Sequence, residues 1–296
     1  MIMNGDRIYI LILNYNSSQE VIRLYNSLKV DSREEYVFLI IDNLSPQPDR
    51  EQLKKAIPDE CLLLLNTNDG YASGNNAGIK QAMNNGATHI LILNPDIEIA
   101  ATIIHDLYIR FKSLEKTAAL GTRICDSENP DIIYSDGGII NKEKGFSTKH
   151  HNGKKLTSEV SETGLREVDY VNGSVLFTSV AVLQDVGLLE ESFFMYFEET
   201  EWCLRAKEKG YKLLVDTDLT AYHKPSSKNT RYQFLMIRNR LWLAKKYPKY
   251  YPKAKKVVFR KLKKESMKKL KRFQLPGKNT RAKIKGYLYG VYTSQS

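Results

Sequence analysis

Glu198, Glu199 and Glu201 stand directly behind the run Phe193-Phe194-Met195-Tyr196-Phe197, and Trp202, Arg205 and Lys209 follow Glu198 at helical spacing. The pattern predicts a helix whose first turn carries three carboxylates packed against an aromatic wall. Burial and mutual repulsion raise a carboxylate's pKa, whereas a helix N-terminus and Arg205 lower it. Such a cluster can therefore supply a general base that takes a proton from a hydroxyl. The same acids would also complement a helix dipole and pair with basic side chains one turn on, with no chemistry implied. A second candidate pair lies outside this stretch. Asp96 follows Pro95 just past an apolar run, and His223 stands near the far end of the same domain. An oxygen and a nitrogen ligand, with a substrate diphosphate and water, suffice to hold Mg2+ or Mn2+. A metal bridging two phosphates would neutralise the charge that develops as a nucleotide leaves. A lone histidine is equally at home as a hydrogen-bonded structural residue.

The elements that must position these residues are regular. Ile8 to Leu13, Tyr36 to Ile41, Cys61 to Leu65 and His89 to Leu93 are continuous apolar runs, as strands of a parallel sheet buried on both faces require. A helix capped by Ser17 or Ser18 follows the first, with Val21, Leu24, Tyr25 and Leu28 on its buried face. A glycine-spaced helix from Gly74 to Asn84 precedes the fourth. Strand and helix alternate, which predicts an α/β fold with crossover helices. The four runs end in Asn14-Tyr15-Asn16, Asp42-Asn43, Asn66 to Gly70, and Asn94-Pro95-Asp96. In an open parallel sheet those ends share the edge where ligands bind. Asn and Asp are ordinary turn residues at any one of them. All four together point to a site for a ligand rich in hydroxyl and amide groups. Gly70, Gly74 and Gly78 would let backbone approach that ligand or the sheet closely. They fit neither GxGxxG nor GxxxxGK[ST], so a dinucleotide fingerprint and a P-loop are disfavoured.

Further on, Ala100 to Glu115 reads as a helix, Ala118 to Ile124 as a strand, and Ile132 to Ile140 as strand and turn. Asn141 to Glu167 is polar and includes His150-His151, which predicts a solvated, mobile excursion covering the site. Val168 to Thr178 reads as a strand with Gly173-Ser174 inside it, Val180 to Asp185 as the start of a short helix, and Lys212 to Val215 as the last strand.

At 296 residues and 42% hydrophobic composition, one large domain with an appendage is expected. No run reaches the ~18 apolar residues of a transmembrane helix. Met1 to Arg7 has no apolar h-region, so no signal peptide is expected. Cys61, Cys125 and Cys203 are far apart and in no CxxC pair, against a disulfide framework or a Cys-based zinc site. The expected location is cytoplasmic. Net charge is +11, unevenly spread. From Lys224 onward, 23 Lys and Arg face the single acid Glu265, while the first 223 residues carry 22 basic and 33 acidic side chains. That predicts a boundary near residue 224 and a tail built for a polyanion. Arg231 to Tyr247 carries Phe234, Ile237, Leu241 and Ala244 on one stripe. Ala254 to Phe273 carries Val257, Val258, Leu262 and Leu270 among lysines, and Tyr287, Tyr289 and Tyr292 follow. Basic amphipathic helices suit an anionic membrane surface. A basic face against the acidic body is the alternative. Nucleic acid is disfavoured as a partner because no binding motif is present.

Taken in order, NYN at 14–16, DNxS at 42–45, NxGYAxGNNxG at 68–78, NPD at 94–96, VNGS at 171–174, FFMYFEE at 193–199, the WCLRAKEKGY segment and HKPSS at 223–227 resemble the family 2 inverting glycosyltransferases of GT-A fold, in particular the bacterial rhamnosyltransferase-like branch. The resemblance covers about residues 7–247 and implies a Rossmann-like, mostly parallel sheet flanked by helices over 1–223, with a basic helical extension over 224–296. It implies a nucleotide-sugar donor held by Asn14, Tyr15, Asn16, Asp42, Asn43, Gly74, Asn75, Asn94 and Asp96. It places Gly173, Ser174 and Trp202 near the acceptor, and Asp96 and His223 on the metal. The second acid of the family's pair is the base and maps onto Glu199. This chain has Glu198-Glu199 where the family usually has Glu-Asp, so Glu198 stays a rival for the role. The implied reaction is transfer of a sugar with inversion, rhamnose from dTDP-rhamnose as first choice and another sugar from UDP as the alternative. The acceptor would be a glycan or polyprenyl-linked glycan of bacterial surface polysaccharide, met at the inner face of the cell membrane. A non-catalytic basic scaffold is the rival outside enzymology. A glycosidase also needs two carboxylates, but it needs no diphosphate metal site or nucleotide edge.

Overall fold

The computed structural model describes residues 5–30, 33–224, 228–270 and 274–293. Pro225, Ser226 and Ser227 of HKPSS, and Phe273, lie outside the described residues. The chain divides into two compact units. The first holds residues up to Ile139, His150–Phe194 and the stretch from Glu198 through the last strand. The second holds Ile140–Lys149, Met195–Phe197 and the C-terminal helices.

The first half of the first unit runs β1 (Ile8–Asn14), α1 (Ser18–Lys29), β2 (Tyr36–Asp42), α2 (Gln47–Ala56), β3 (Leu62–Leu64), α3 (Tyr71–Asn84), β4 (His89–Leu93), β5 (Ile97–Glu98) and α4 (Ala101–Ser113). Then come β6 (Thr117–Asp126), β7 (Ile133–Ser135), a separate hairpin of β8 (Gly138–Asn141) and β9 (Ser147–His150) that falls mostly in the second unit, β10 (Leu165–Glu167), β11 (Val175–Ser179), α5 (Val180–Val186), α6 (Glu198–Glu208) and β12 (Lys212–His223). The main sheet has the order β10-β12-β6-β11-β4-β1-β2-β3, with β5 on β12 and β7 on β6. Strands β1 to β4 are parallel, and their register sets Asn14 opposite Asp42 and Ile12 opposite Leu93. The polar strand ends therefore meet at one edge.

Both faces of this sheet are covered, which is why its strands read as unbroken apolar runs. Ile8, Ile10 and Ile12 pack in one core with Val21, Leu24, Tyr25 and Leu28 of α1 and Ile104, Leu107, Tyr108 and Phe111 of α4. On the other face α3 lies so close that a Cβ at Gly74 would stand 2.5 Å from Leu13 Cδ1, and one at Gly78 2.8 Å from Ile41 Cδ1. These two glycines seat the helix on the sheet.

Two stretches differ from expectation. The polar segment 141–167 contains β9 and β10, and β10 pairs with β12 through Arg166 and Val215. His150 packs edge-on against Tyr134, with Nδ1 3.1 Å from the Tyr134 carbonyl. Edge strands bearing polar side chains show no apolar period, so the pattern read as loop. Strand β12 likewise runs on to His223 past the polar Asp216-Thr217-Asp218, because a register shift between Asp216 and Thr220 absorbs that turn-like stretch.

The second unit contains α7 (Thr230–Lys245), α8 (Tyr251–Leu270) and α9 (Lys278–Tyr292). The Asn229 side chain caps α7 by accepting from the Tyr232 N–H. Gly286 and Gly290 let α9 close on α7; a Cβ at Gly290 would stand 2.9 Å from Leu241 Cβ. Glu265 ties α8 to α9 by accepting from Thr280 Oγ1 at 2.7 Å and Lys283 Nζ at 3.0 Å. Leu241, Ala244, Val258 and Leu262 are buried inside this unit rather than presented outward, whereas Phe259, Met267, Leu270, Leu288 and Tyr292 are exposed. Phe146 is fully buried, its ring centroid 5.0 Å from that of Tyr247. Arg240 donates to the carbonyls of Lys144 and Gly145. Among the described residues no helix is long and apolar enough to cross a membrane.

Candidate active site

Helix α6 begins at Glu198, so its acids do fall in the first turn. Their environments differ sharply. Glu201 is buried and its Oε2 lies 2.9 Å from Arg205 Nε, while Arg205 also donates to the carbonyls of Val186 and Leu188. The bland reading of the cluster thus holds for Glu201, which braces the helix. It fails for the other two, which have no Lys or Arg partner among the described residues. Glu198 is 4% exposed, and its Oε2 has no hydrogen-bond partner. Burial pushes its pKa well above the usual 4.5, and the neighbouring Glu199 charge pushes the same way. Glu199 keeps partial exposure and accepts from Thr200 Oγ1 at 3.3 Å. Burial raises its pKa too, against hydrogen bonds from its own backbone and Thr200 that favour the charged form. Both carboxyls are thus held above the ordinary glutamate range, Glu198 the further of the two, and Glu199 alone keeps some exposure.

The turn ahead of α6 is strained. Phe194, Tyr196 and Phe197 have φ of 67, 69 and 77°, a region that L-residues avoid at about 1–2 kcal/mol each. The Tyr71 N–H holds it at one end by donating to the Phe194 carbonyl at 2.5 Å. Gly70, at φ 102°, makes room for this, since a Cβ there would fall on that carbonyl.

Tyr71 also reaches the strand-end edge. Its hydroxyl is 3.0 Å from Asn94 Oδ1 and 3.0 Å from the Gly173 carbonyl. Burial, then the charges of Glu198 and Glu199, push its phenol well above the ordinary 10.0, so it stays a donor. Antiparallel pairing of β11 with β4 sets Val175 opposite Leu93, which brings Ser174 beside Asn94; the Asn94 N–H donates to the Ser174 carbonyl at 3.1 Å. Asn76 fixes the approach to the acid stretch by donating to the Leu189 carbonyl and Glu191 Oε1, both at 2.8 Å. Composition and spacing did not single out Tyr71 or Asn76; both lie inside the NxGYAxGNNxG segment, which was the available signal.

At the β1–β2 edge, Asn14 is fully buried. Its Nδ2 lies within 2.9 Å of Asp42 Oδ1, Ser45 Oγ and Asp49 Oδ2, and its Oδ1 accepts from Ser17. Asp42 is buried with Arg50 Nε 3.1 Å away. Asn14 thus shapes the edge rather than offering a free amide. Tyr15 is half exposed, and Asn16, at φ 56°, projects beyond the strand. Asn43 donates to Asn68 Oδ1 and the Gly70 carbonyl, and Asn75 to the Tyr71 carbonyl. The Oδ1 atoms of Asn43 and Asn75 are buried without a partner.

One assignment is corrected. Trp202 is 1% exposed and donates its indole N–H to the Gly187 carbonyl at 2.7 Å, so it belongs to the core and cannot touch an acceptor. Gly74 seats α3 against Leu13, which leaves its place beside the donor edge unaltered.

Asp96 and His223 meet because β5 pairs with β12, placing Ile97 opposite His223. His223 Nε2 stands 3.1 Å from Asp96 Oδ2. Neither ring nitrogen has a hydrogen bond, and the ring is 3% exposed. A buried imidazole whose Nε2 faces a part-exposed carboxylate, with neither nitrogen hydrogen-bonded, fits a divalent cation whose remaining positions are taken by phosphate and water. Among the described residues no group of three or more His, Cys, Asp or Glu side chains could hold an ion unaided.

The glycosyl transferase family 2 model matches residues 9–167, which carry the whole strand-end edge and Asp96. The chain belongs to glycosyl transferase family 2. It is 28% identical over 251 residues to the low-salt glycan biosynthesis hexosyltransferase Agl10 of Haloferax volcanii, covering 79% of this chain and 74% of that protein. It is 24% identical over 242 residues to the dTDP-rhamnosyl transferase RfbF of Shigella flexneri, covering 77% and 72%. The crystal structure of GalNAc-T7 with UDP, GalNAc and Mn2+ superposes at a TM-score of 0.63 and 14% identity. That alignment covers 82% of this chain and 48% of the other, so the chain spans about half that protein's length. The family 2 glycosyltransferase thus has the GT-A fold that its motifs implied and takes a nucleotide-sugar donor.

Proposed function

We propose that this glycosyltransferase transfers a hexose with inversion from a nucleoside diphosphate sugar, rhamnose from dTDP-rhamnose, to a glycan or polyprenyl-linked glycan acceptor. The observation that carries the reading is the head of α6, where a buried Glu198 whose Oε2 has no hydrogen-bond partner stands beside a partly exposed Glu199. Likeness to RfbF, a dTDP-rhamnosyl transferase, supports rhamnose; likeness to Agl10 supports a hexose in glycan synthesis.

In this reading Glu199 removes the proton of the acceptor hydroxyl, whose oxygen attacks the anomeric carbon opposite the diphosphate. Glu198, kept neutral by burial, leaves Glu199 as the single negative charge there. Tyr71 ties the strand ends at Asn94 and Gly173 to the Phe194 carbonyl, four residues ahead of Glu198. Asn16, Asn43 and Asn75 line the donor edge. Asp96 and His223 hold Mg2+ or Mn2+, which when bound supplies charge neutralisation to the leaving diphosphate.

Calorimetric titration with UDP, dTDP, GDP and CMP, each with and without Mn2+, tests the donor side. Metal-dependent binding of dTDP that is lost in Asp96→Ala supports the reading. Selective binding of UDP replaces rhamnose by a UDP-linked sugar, and no binding of any nucleotide overturns it.

The second unit is assigned to an anionic membrane surface, where Phe259, Met267, Leu270, Leu288 and Tyr292 stand exposed among lysines. Charge reversal at Lys256, Lys263 and Lys264 should release the protein from phosphatidylglycerol vesicles and spare transfer to a soluble acceptor. Unchanged vesicle binding would refute the assignment.

A further inference from the structure

We infer that Asn239 is a positioning residue for the acid pair, acting through the turn Met195–Phe197; this rests on the reading of Glu199 as the base. Asn239 lies within α7 with no exposed surface, a costly place for an amide unless its hydrogen bonds are used. Its Nδ2 donates to the Met195 carbonyl at 2.8 Å and to the Tyr196 carbonyl at 2.7 Å. Its Oδ1 accepts from Arg238 Nε at 2.8 Å, which settles which end of the amide faces the turn. Arg238 is itself fixed by stacking, 4.2 Å from the Trp242 ring centroid and 5.7 Å from that of Phe234.

The turn needs such a clamp. Tyr196 and Phe197 are held at φ of 69 and 77°, and Tyr196 is packed against Tyr232 with ring centroids 5.1 Å apart. Two hydrogen bonds are on the scale of the strain in two left-handed residues. Without them the turn relaxes toward ordinary backbone. Phe197 is peptide-bonded to Glu198, so that relaxation rotates the first turn of α6 and carries both carboxylates with it. Asn239, through the backbone it holds directly ahead of Glu198, thereby acts on the proposed base.

The test compares Asn239→Ala and the isosteric Asn239→Asp with Glu199→Gln. It measures kcat, donor KM, nucleotide affinity by calorimetry and the pH–rate profile. Asp preserves volume but sets a carboxylate against two carbonyls. Both Asn239 variants should lose about 10²-fold in kcat, the scale of a misplaced catalytic group. Donor KM and nucleotide affinity should hold. The acid limb should move to lower pH as Glu199 gains water and loses the burial that raises its pKa. Wild-type kcat and pH profile in Asn239→Asp would overturn the inference. Loss of nucleotide binding in both variants would do so too, since Asn239 would then serve the fold at large. Full transfer by Glu199→Gln would instead overturn the base reading and the positioning role with it, whatever the Asn239 variants do.

Discussion

His223 Nε2 lies 3.1 Å from Asp96 Oδ2, and the contact is made by backbone register, since β5 lays Ile97 opposite His223 on β12. Two residues far apart in the sequence thereby share one point next to the strand-end edge. His223→Ala and Asp96→Ala are each expected to abolish the Mn2+ dependence of nucleoside diphosphate binding and to lower kcat by about 10²-fold. His223→Gln, whose amide oxygen can still ligate a hard cation, should fall between them and wild type. Retention of metal-dependent binding in both alanine variants would remove the pair from the metal.

Glu198 and Glu199 should separate by pH. The base must be ionised, and burial raises the pKa of Glu199, so the acid limb of kcat/KM should lie above the ordinary glutamate value of 4.5. Glu199→Gln should lose about 10²- to 10⁴-fold in kcat, while Glu198→Gln, which mimics the neutral acid, should keep most of it. A larger loss in Glu198→Gln than in Glu199→Gln would exchange their roles.

Glu198 also makes a stability prediction with a definite sign. Between 4.5, its ordinary value, and its raised folded value, the native chain holds a proton that the unfolded chain has released. Stability therefore falls as pH rises through that window. Glu198→Gln should melt above wild type at neutral pH and lose that advantage below pH 4.5. Parallel melting curves across pH would show that Glu198 is not held neutral by the fold.

What was legible followed from burial. Strands β1, β2 and β4 are covered on both faces, so they had to be apolar throughout, and their Asn and Asp ends marked the edge. The head of α6 was legible because aromatic and acidic residues change over at one point. The meeting of Asp96 with His223 was not readable from spacing, because it depends on the two-residue strand β5. Trp202 was misplaced because an aromatic beside an acid cluster reads alike whether it faces ligand or core; only its bond to the Gly187 carbonyl decides. Asn239 was silent for a different reason. One polar residue in an amphipathic helix looks like its wet face, yet here it is the inner one.

Trp202→Phe keeps the aromatic bulk and leaves the Gly187 carbonyl without its donor. It should destabilise the protein by about 1–3 kcal/mol, read as a lower melting temperature, with acceptor KM unchanged. A selective rise in acceptor KM at unchanged stability would return Trp202 to the acceptor site.

Gly286 and Gly290 should be intolerant for a reason unrelated to chemistry. A Cβ at Gly286 would fall on the Phe234 carbonyl, and a backbone atom cannot turn aside as a side chain does. Gly286→Ala is therefore expected to force α9 off α7 and cost about 1–3 kcal/mol. Because α9 and α7 belong to the second unit while the strand-end edge belongs to the first, dTDP affinity should survive the substitution. Transfer should fall if opening α7 disturbs Asn239, whose donors hold the turn before Glu198. Calorimetry and kcat on one variant thus separate the two units: intact binding with reduced kcat is the expected pair. Equal loss of both would mean that the units do not fold independently.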